Sequence, residues 1–205
     1  MYKRQVRIGT ISTLNSYRFP VLIKGFWKQY PMVKFQLHQG DYSTIPEMVA
    51  TGTVDMGFIN PNPQLGFKTK FLKTGNLLAV LPKKHPLAER GSIKLKDLAK
   101  EPFFLLESGL LSAPMDDFRK KGLNPQVRLV THDADTILSL VEMGLGISIL
   151  PALVLTSKRN NYKVEICPTD PFLSRSVGLI TREDDLLPIA SKCFINYLTK
   201  EVDNL

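Results

Sequence analysis

Residues 6–59 read VRIGTISTLNSYRFPVLIKGFWKQYPMVKFQLHQGDYSTIPEMVATGTVDMGFI, and two periodicities alternate along them. Val6-Arg7-Ile8-Gly9 is a short strand-like run that breaks into the polar stretch Thr10–Ser16. Phe19, Leu22, Ile23, Phe26, Trp27 and Tyr30 then recur at helical spacing until Pro31 stops the pattern. Val33 to Gln39 alternates apolar and polar residues, which predicts a strand. Past the loop Gly40–Ser43, Thr44-Ile45-Pro46-Glu47 fits a capping box, with Thr44 as cap and Glu47 at the third helical position. That helix ends at Gly52, and Val54–Ile59 is the next strand. Strand, helix, strand, helix, strand within about 60 residues predicts βαβ units and a parallel sheet.

The same grammar continues outward. Leu77 to Leu81 is an apolar strand ended by Pro82, and Phe103 to Leu106 is another. Ser112 to Lys121 reads as a helix closed by Gly122, and Gln126 to Val130 as a strand. Ala134 to Met143 is a helix with Ile137, Leu140 and Val141 on one face, and Ile147 to Leu150 is a strand. Val177–Thr181 is a late strand, and Pro188–Lys200 a terminal helix with proline in its first turn. The second half repeats the pattern of the first without repeating its residues. Two similar α/β halves suggest a hinged pair with a cleft, and open α/β sheets bind ligands at the carboxyl ends of their strands.

The chain has 205 residues, 43% of them hydrophobic, which excludes a disordered chain and a disulfide-stapled miniprotein. Cys167 and Cys193 are its two cysteines, in no paired motif, which suggests a reducing compartment. The start of the chain does not resemble a signal peptide. The run Met143–Leu155 is too short to span a bilayer and reads as buried core. The expectation is a cytoplasmic protein with no membrane contact. The net charge of +8 comes from scattered lysines and arginines, in short clusters at Lys83-Lys84, Arg119-Lys120-Lys121 and Lys158-Arg159. That reads as a solvated surface with a preference for anionic ligands rather than as a nucleic-acid face.

Catalytic signatures are absent. There is no GxGxxG, Walker loop, HExxH or GxSxG, and Gly144-Leu145-Gly146 follows a helix, so it reads as a helix-to-strand turn. His38, His85 and His132 have no metal-ligand spacing, so no metal or cofactor is expected. His85, within Lys83-Lys84-His85-Pro86, reads as a solvated turn. The chemistry present is a hydroxyl-rich loop before a helix: Thr10, Ser12, Thr13, Asn15 and Ser16. Exposed N–H groups and the positive end of a helix dipole favour an anion there. Glu107-Ser108-Gly109-Leu110-Leu111-Ser112 leads into a helix in the other half. Simple capping is the competing reading of either loop.

Four stretches, in order, resemble the effector-binding (regulatory) domain of LysR-type transcriptional regulators across essentially the whole chain. They are Val6-Arg7-Ile8-Gly9 with its hydroxyl loop and Pro20, then Phe26 to Tyr30-Pro31. Next come Leu81-Pro82-Lys83-Lys84-His85-Pro86-Leu87 with Leu95-Lys96-Asp97-Leu98…Pro102-Phe103, and Leu140-Val141-Glu142-Met143-Gly144-Leu145-Gly146-Ile147-Ser148-Ile149-Leu150-Pro151. The resemblance implies an α/β fold of the periplasmic-binding-protein type, two Rossmann-like subdomains joined by two crossing strands. The expected division is 1–80 with 177–205, and 81–176. It also implies a small, anionic effector in the interlobe cleft that modulates transcription. Mapped on the family pattern, the contacts are Thr10, Ser12, Thr13 and Leu14; Asp41, Tyr42 and Ser43; Asn60; Glu107, Ser108 and Gly109; and His132 with Asp133. The family pairs head to tail as a homodimer, or assembles as a tetramer, with Pro20–Gln39 against Ser112–Val130 of the partner. Trp27 reads as core or as interface. Promoter DNA is expected to be contacted only through an N-terminal helix-turn-helix, for which there is no room before Val6. The competing expectations are a solute-binding protein of a transport system, and an enzyme using Asp41, Glu107, His132 or Asp133.

Overall fold

The structure is a computed structural model that describes residues 4–11, 19–61, 66–106, 113–158, 160–183 and 186–201. The chain divides into two units, Met1–Thr74 with Ser176–Leu205, and Gly75–Arg175. It passes from the first to the second inside one long strand and returns inside another.

In the first unit, β1 (Gln5–Thr10) pairs in parallel with β2 (Lys34–Gln39) on one side and β3 (Met56–Ile59) on the other. The crossovers are α1 (Phe19–Gln29) and α2 (Thr44–Ala50). β11 (Leu173–Thr181) adds antiparallel to β3, and the first half of β4 (Lys68–Pro82) lies beyond it. The strands form because Val6, Ile8, Met56 and Phe58 are buried completely, as a sheet covered by helices requires. α1 buries Phe19, Leu22 and Phe26 at helical spacing. Phe26 stacks edge-on against Phe194 at 5.1 Å, and Phe35 against Phe194 at 5.0 Å, which locks α1, β2 and the terminal helix α7 (Ile189–Lys200) together. α2 sits so close to β3 that a Cβ on Gly57 would lie 2.3 Å from Ile45 Cγ2.

One buried charge spans this unit. Asp55 is fully buried and accepts from Arg7 N at 2.9 Å, Arg7 Nε at 3.2 Å, Arg7 Nη2 at 2.6 Å and Ser191 Oγ at 2.8 Å. Arg7 Nη1 also donates to the Gly52 carbonyl at 2.8 Å. The bonds join β1 to the α2–β3 turn and to α7.

In the second unit the strand order is β4-β8-β6-β7, with β9 (Val164–Cys167) also on β4. β6 (Pro102–Leu106) pairs in parallel with β7 (Gln126–Thr131) and β8 (Ile147–Pro151), while β8 and β9 run antiparallel to β4. The helices between them are α4 (Ala113–Lys120), α5 (Ala134–Glu142) and α6 (Ala152–Lys158). Alternation along the strands builds two cores. Ile147, Ile149, Phe103 and Phe118 fill one, and Leu150, Phe104, Ile137 and Val141 the other. A one-turn 3-10 helix (Pro86–Arg90), the short α3 (Leu95–Leu98) and the two-residue pair β5 (Ile93–Lys94) with β10 (Thr169–Asp170) cover the first. The turn reading of Gly144-Leu145-Gly146 holds: Gly144 has φ 75° and its N–H closes α5 onto Val141 O at 2.9 Å.

Several expectations are corrected. β4 is 15 residues long rather than the five from Leu77 to Leu81, because the apolar residues of Lys68–Thr74 are the adjacent pair Phe71-Leu72, which fall on opposite faces and set no alternation. Met143 and Leu145 are 73% and 55% exposed, so the apolar run is core only from Gly146 onward. His85 is no solvated residue. Its side chain is 17% exposed, and Nδ1 accepts from Leu87 N at 3.2 Å to cap the 3-10 turn. α6 and β9 went unread, since each is too short for a periodicity to show.

Candidate functional site

In the first unit the parallel pairing of β1 with β2 and β3 sets their carboxyl ends side by side. Thr10, at the end of β1, is buried, and its carbonyl accepts the Gly40 N–H at 3.0 Å. Its hydroxyl donates to the Ile11 carbonyl at 3.4 Å. Asn60 follows β3 and is half-buried.

Asp41 organises the loop after β2. Its Oδ1 accepts from Ser43 N at 2.8 Å, Ser43 Oγ at 2.5 Å, Thr44 N at 2.9 Å and Thr44 Oγ1 at 3.1 Å. Thr44 Oγ1 in turn accepts the Asp41 N–H at 3.0 Å. Partial burial works against ionisation here, but the bonds from Ser43 and Thr44 outweigh it and lower the carboxyl from 3.8 to about 2. The expected capping box is therefore corrected. Thr44 is the first helical residue, Ser43 stands at the cap position without a side-chain cap bond, and Asp41 takes up the N–H groups. The carboxylate two residues before the cap gathers these donors, and its charge strengthens each bond.

Tyr42 stands between these residues and is 7% exposed, yet its hydroxyl is buried without a hydrogen-bond partner. His38 Nε2 and Arg182 Nε are the other such side-chain atoms among the described residues. Buried polar groups are normally paired, so these three atoms are exceptions, and Tyr42 is the one among them at an expected contact position.

In the second unit β7 leads into His132 and Asp133, both exposed. Asp133 caps α5, accepting from Asp135 N at 3.2 Å, Thr136 N at 3.0 Å and Thr136 Oγ1 at 2.6 Å. The Thr136 hydroxyl is the main cause of its lowered pKa; partial burial opposes, and the two N–H groups and the Lys158 charge add to it. Behind it Asp135 pairs with Lys158 and accepts from Tyr162 Oη at 2.8 Å. Sequence reading missed this second arrangement, whose members are 23 and 27 residues apart with no motif between them.

Ser12, Thr13, Leu14, Glu107, Ser108 and Gly109 lie outside the described residues. Thr10, Asp41, Tyr42, Ser43 and Asn60 belong to the strand ends of the first unit, and His132 with Asp133 to the second. No three His, Cys, Asp or Glu side chains among the described residues are grouped to hold a metal ion. No helix among them is long and apolar enough to cross a membrane. Cys167 and Cys193 are both thiols, and burial, with the Glu165 charge, pushes the Cys167 thiol up.

Comparison with known proteins bears on the family and the fold. The family model described as LysR substrate binding domain matches residues 2–203. The transcriptional dual regulator GltC of Bacillus subtilis is 31% identical over 195 residues, covering 93% of this chain and 65% of that protein. The chain spans about two thirds of the length of such curated relatives. Among solved structures, the effector binding domain of QuiR in complex with shikimate superposes with a TM-score of 0.87 at 22% identity, covering 97% of both chains. The CcmR regulatory domain of Synechocystis PCC6803 in complex with 2-PG gives 0.87 at 22%, covering 98% of both. These likenesses establish the fold as that of the LysR effector-binding domains, a two-lobed, periplasmic-binding-protein-like α/β architecture.

Proposed function

The chain belongs to the LysR substrate binding domain family, and from that premise we propose that it is the effector-sensing part of a bacterial transcription regulator. The observation that carries this reading is the family match across residues 2–203. The superposition on domains solved with small molecules bound supports it. The protein acts by binding rather than by turnover: a cytoplasmic regulator binds a small anionic molecule, and that binding biases a conformational equilibrium. The contacts come from Thr10, Ser12, Thr13, Leu14, Asp41, Tyr42, Ser43 and Asn60 in the first unit. Glu107, Ser108, Gly109, His132 and Asp133 supply those of the second. The anionic preference rests on the net charge of +8 and on the hydroxyl-rich Thr10–Ser16 stretch. Promoter DNA is engaged through a segment outside these 205 residues.

The same reading includes a homodimer. β2 ends the order of the first unit's sheet, and Trp27 and Met32 beside it are 46% and 66% exposed. They help line a cavity of about 500 Å³ with Pro31, Val33, Lys34 and Phe35. This exposure supports the interface reading of Trp27, whose Nε1 donates to Val33 O at 2.7 Å. At the edge of the second unit, β7 exposes Val127 and Val130. We assign these two edges to each other across a two-fold pair, so that each contact is made twice.

The test is a thermal-shift screen of the chain against sulfate, phosphate, amino acids, aromatic carboxylates and central metabolites. A ligand at about 100 times its Kd stabilises by about 2.7 kcal/mol, a shift of roughly 5–10 °C for a chain this size. A selective hit that survives in wild type and disappears in Ser12→Ala/Thr13→Ala supports the site. A hit unaffected by that variant removes the loop from it, and a flat screen on folded protein counts against the effector class. Light scattering tests the pairing: the wild type runs as a dimer and Met32→Glu as a monomer.

A further inference from the structure

His85 stands between the end of β4 and the one-turn 3-10 helix Pro86–Arg90. The backbone around it is bonded on both sides, His85 N to Pro82 O at 3.2 Å and Ala88 N to His85 O at 2.9 Å. Lys84, just before it, has φ 62°, in the left-handed region that a residue with a side chain rarely adopts. The turn into the helix is therefore held against a backbone preference by the bonds around it. The helix in turn closes a core. Leu87 is 8% exposed and packs in the cluster with Phe103, Phe118 and Ile147. Ala88 packs against the same cluster, and its carbonyl accepts from Cys167 Sγ at 3.9 Å.

The imidazole grips this helix at its start. Nδ1 accepts from Leu87 N at 3.2 Å, and a ring nitrogen that accepts carries no proton, so this bond requires a neutral ring with its proton on Nε2. Nε2 faces Glu101 Oε2 at 4.0 Å. The two partners call for opposite states of the ring. A proton on Nδ1 sets one donor against another and ends the bond to Leu87. The same proton makes the ring a cation, which strengthens its attraction to Glu101. The remaining charged groups on the neighbouring elements are engaged elsewhere or point to water. Lys83 pairs with Glu165 of β9 at 2.8 Å and Arg90 with Asp97 of α3 at 3.1 Å, while Lys84, Glu89 and Lys94 of β5 are exposed.

We propose that His85 is a proton-operated latch on the 3-10 helix Pro86–Arg90. The neutral ring holds the helix closed over the core through the Leu87 N–H; the protonated ring goes over to Glu101 and releases it. The sign follows from the bond. What the Leu87 N–H contributes to holding the helix exists only with a neutral ring, so it is present at higher pH and lost on acidification.

The test is NMR of the 205-residue chain from about pH 7.5 to about pH 5, the range in which histidine ordinarily changes charge. Imidazole nitrogen shifts report which ring nitrogen carries the proton. Amide exchange, corrected for its intrinsic pH dependence, reports the hold on Leu87 and Ala88. The proposal expects a bare Nδ1 at the upper pH. As the ring takes up its proton, protection at Leu87 and Ala88 falls roughly fivefold relative to β6, the worth of one capping bond. His85→Asn keeps an acceptor that does not titrate and is expected to hold its protection throughout. Glu101→Gln removes the partner of the cation, so release is expected at lower pH than in wild type. If His85→Asn does not fold, the wild-type ring and amide data decide alone. A proton on Nδ1 at the upper pH, a ring that stays neutral over the whole range, protection that does not change as the ring titrates, or the same loss in His85→Asn overturns it.

Discussion

Replacing Arg7 by methionine tests the internal support of the candidate site. Asp55 is completely buried, and Arg7 supplies two of its four hydrogen bonds through the guanidinium and one through its backbone. Methionine keeps the volume of the stem and the backbone bond but strips the countercharge, leaving a carboxylate held only by Arg7 N–H and Ser191 Oγ. Breaking a buried pair this way costs about 3–5 kcal/mol. The Arg7 side chain is 28% exposed, so solvent screens part of the attraction and the lower end, about 3 kcal/mol, is expected. That corresponds to a fall in melting temperature of roughly 6–12 °C. Asp55→Asn, in which the charge is gone but a carbonyl acceptor remains, should cost about 2 kcal/mol. Once Asp55 is neutral, removing the guanidinium should matter much less, so the double variant should be milder than the sum by about 2 kcal/mol. Urea unfolding followed by Trp27, the single tryptophan, reports on the first unit, where these residues lie. An Arg7→Met cost below about 1 kcal/mol, or an additive cycle, would refute the view that this pair holds β1 to its neighbours.

Asp41→Ala should destabilise by about 1–2 kcal/mol at pH 7, since Ser43 and Thr44 lose their common acceptor. Because the folded carboxyl lies at about 2, below its unfolded value, the contribution is present above about pH 4 and is lost as pH falls toward 2; stability against pH should therefore differ between wild type and variant only above that window. Tyr42→Phe removes a hydroxyl without a partner, so the ligand-free melting temperature should stay constant or rise, while affinity for an effector found by the screen should fall up to tenfold. A drop of several degrees without ligand would mean that the hydroxyl is paired in solution. Gly57→Ala places a methyl against Ile45 at the α2–β3 contact and should cost about 1–3 kcal/mol, read as a lower urea midpoint.

The fold was legible where burial imposes a period on the sequence. α1 and α2 bury one helical face, β1 and β3 are largely buried, and β2 alternates apolar and polar residues although it is mostly exposed; each was visible in residues 6–59. The first half of β4 was not, because Leu72 is the one buried residue of Lys68–Thr74 and a single buried position leaves no alternation to read. The cap of α2 was misread because Thr44 and Asp41 bond to each other, Thr44 Oγ1 accepting the Asp41 N–H and donating to Asp41 Oδ1, and a motif read forward from Thr44 does not show a partner three residues before it. Asp55 sits in Val54-Asp55-Met56-Gly57, just before β3, where an acid within an apolar run signals a buried partner. Nothing in the spacing names Arg7 or Ser191, which are 48 and 136 residues away.

The polar residues of the candidate site divide by how their hydrogen bonds are used, and the division ranks them. Asp41 and Asp133 are the residues a sequence reading favours as charged contacts, yet both spend their carboxylates on the N–H and hydroxyl groups of a neighbouring helix start. A ligand competing for those oxygens would first have to displace bonds that shape the loop. Tyr42 is the reverse case. Its hydroxyl is buried without a partner, a cost of about 1–3 kcal/mol. A bound effector that offers this hydroxyl a partner recovers that cost, and the gain exists only in the bound state. Specificity at this site is therefore expected to follow Tyr42 more than either aspartate.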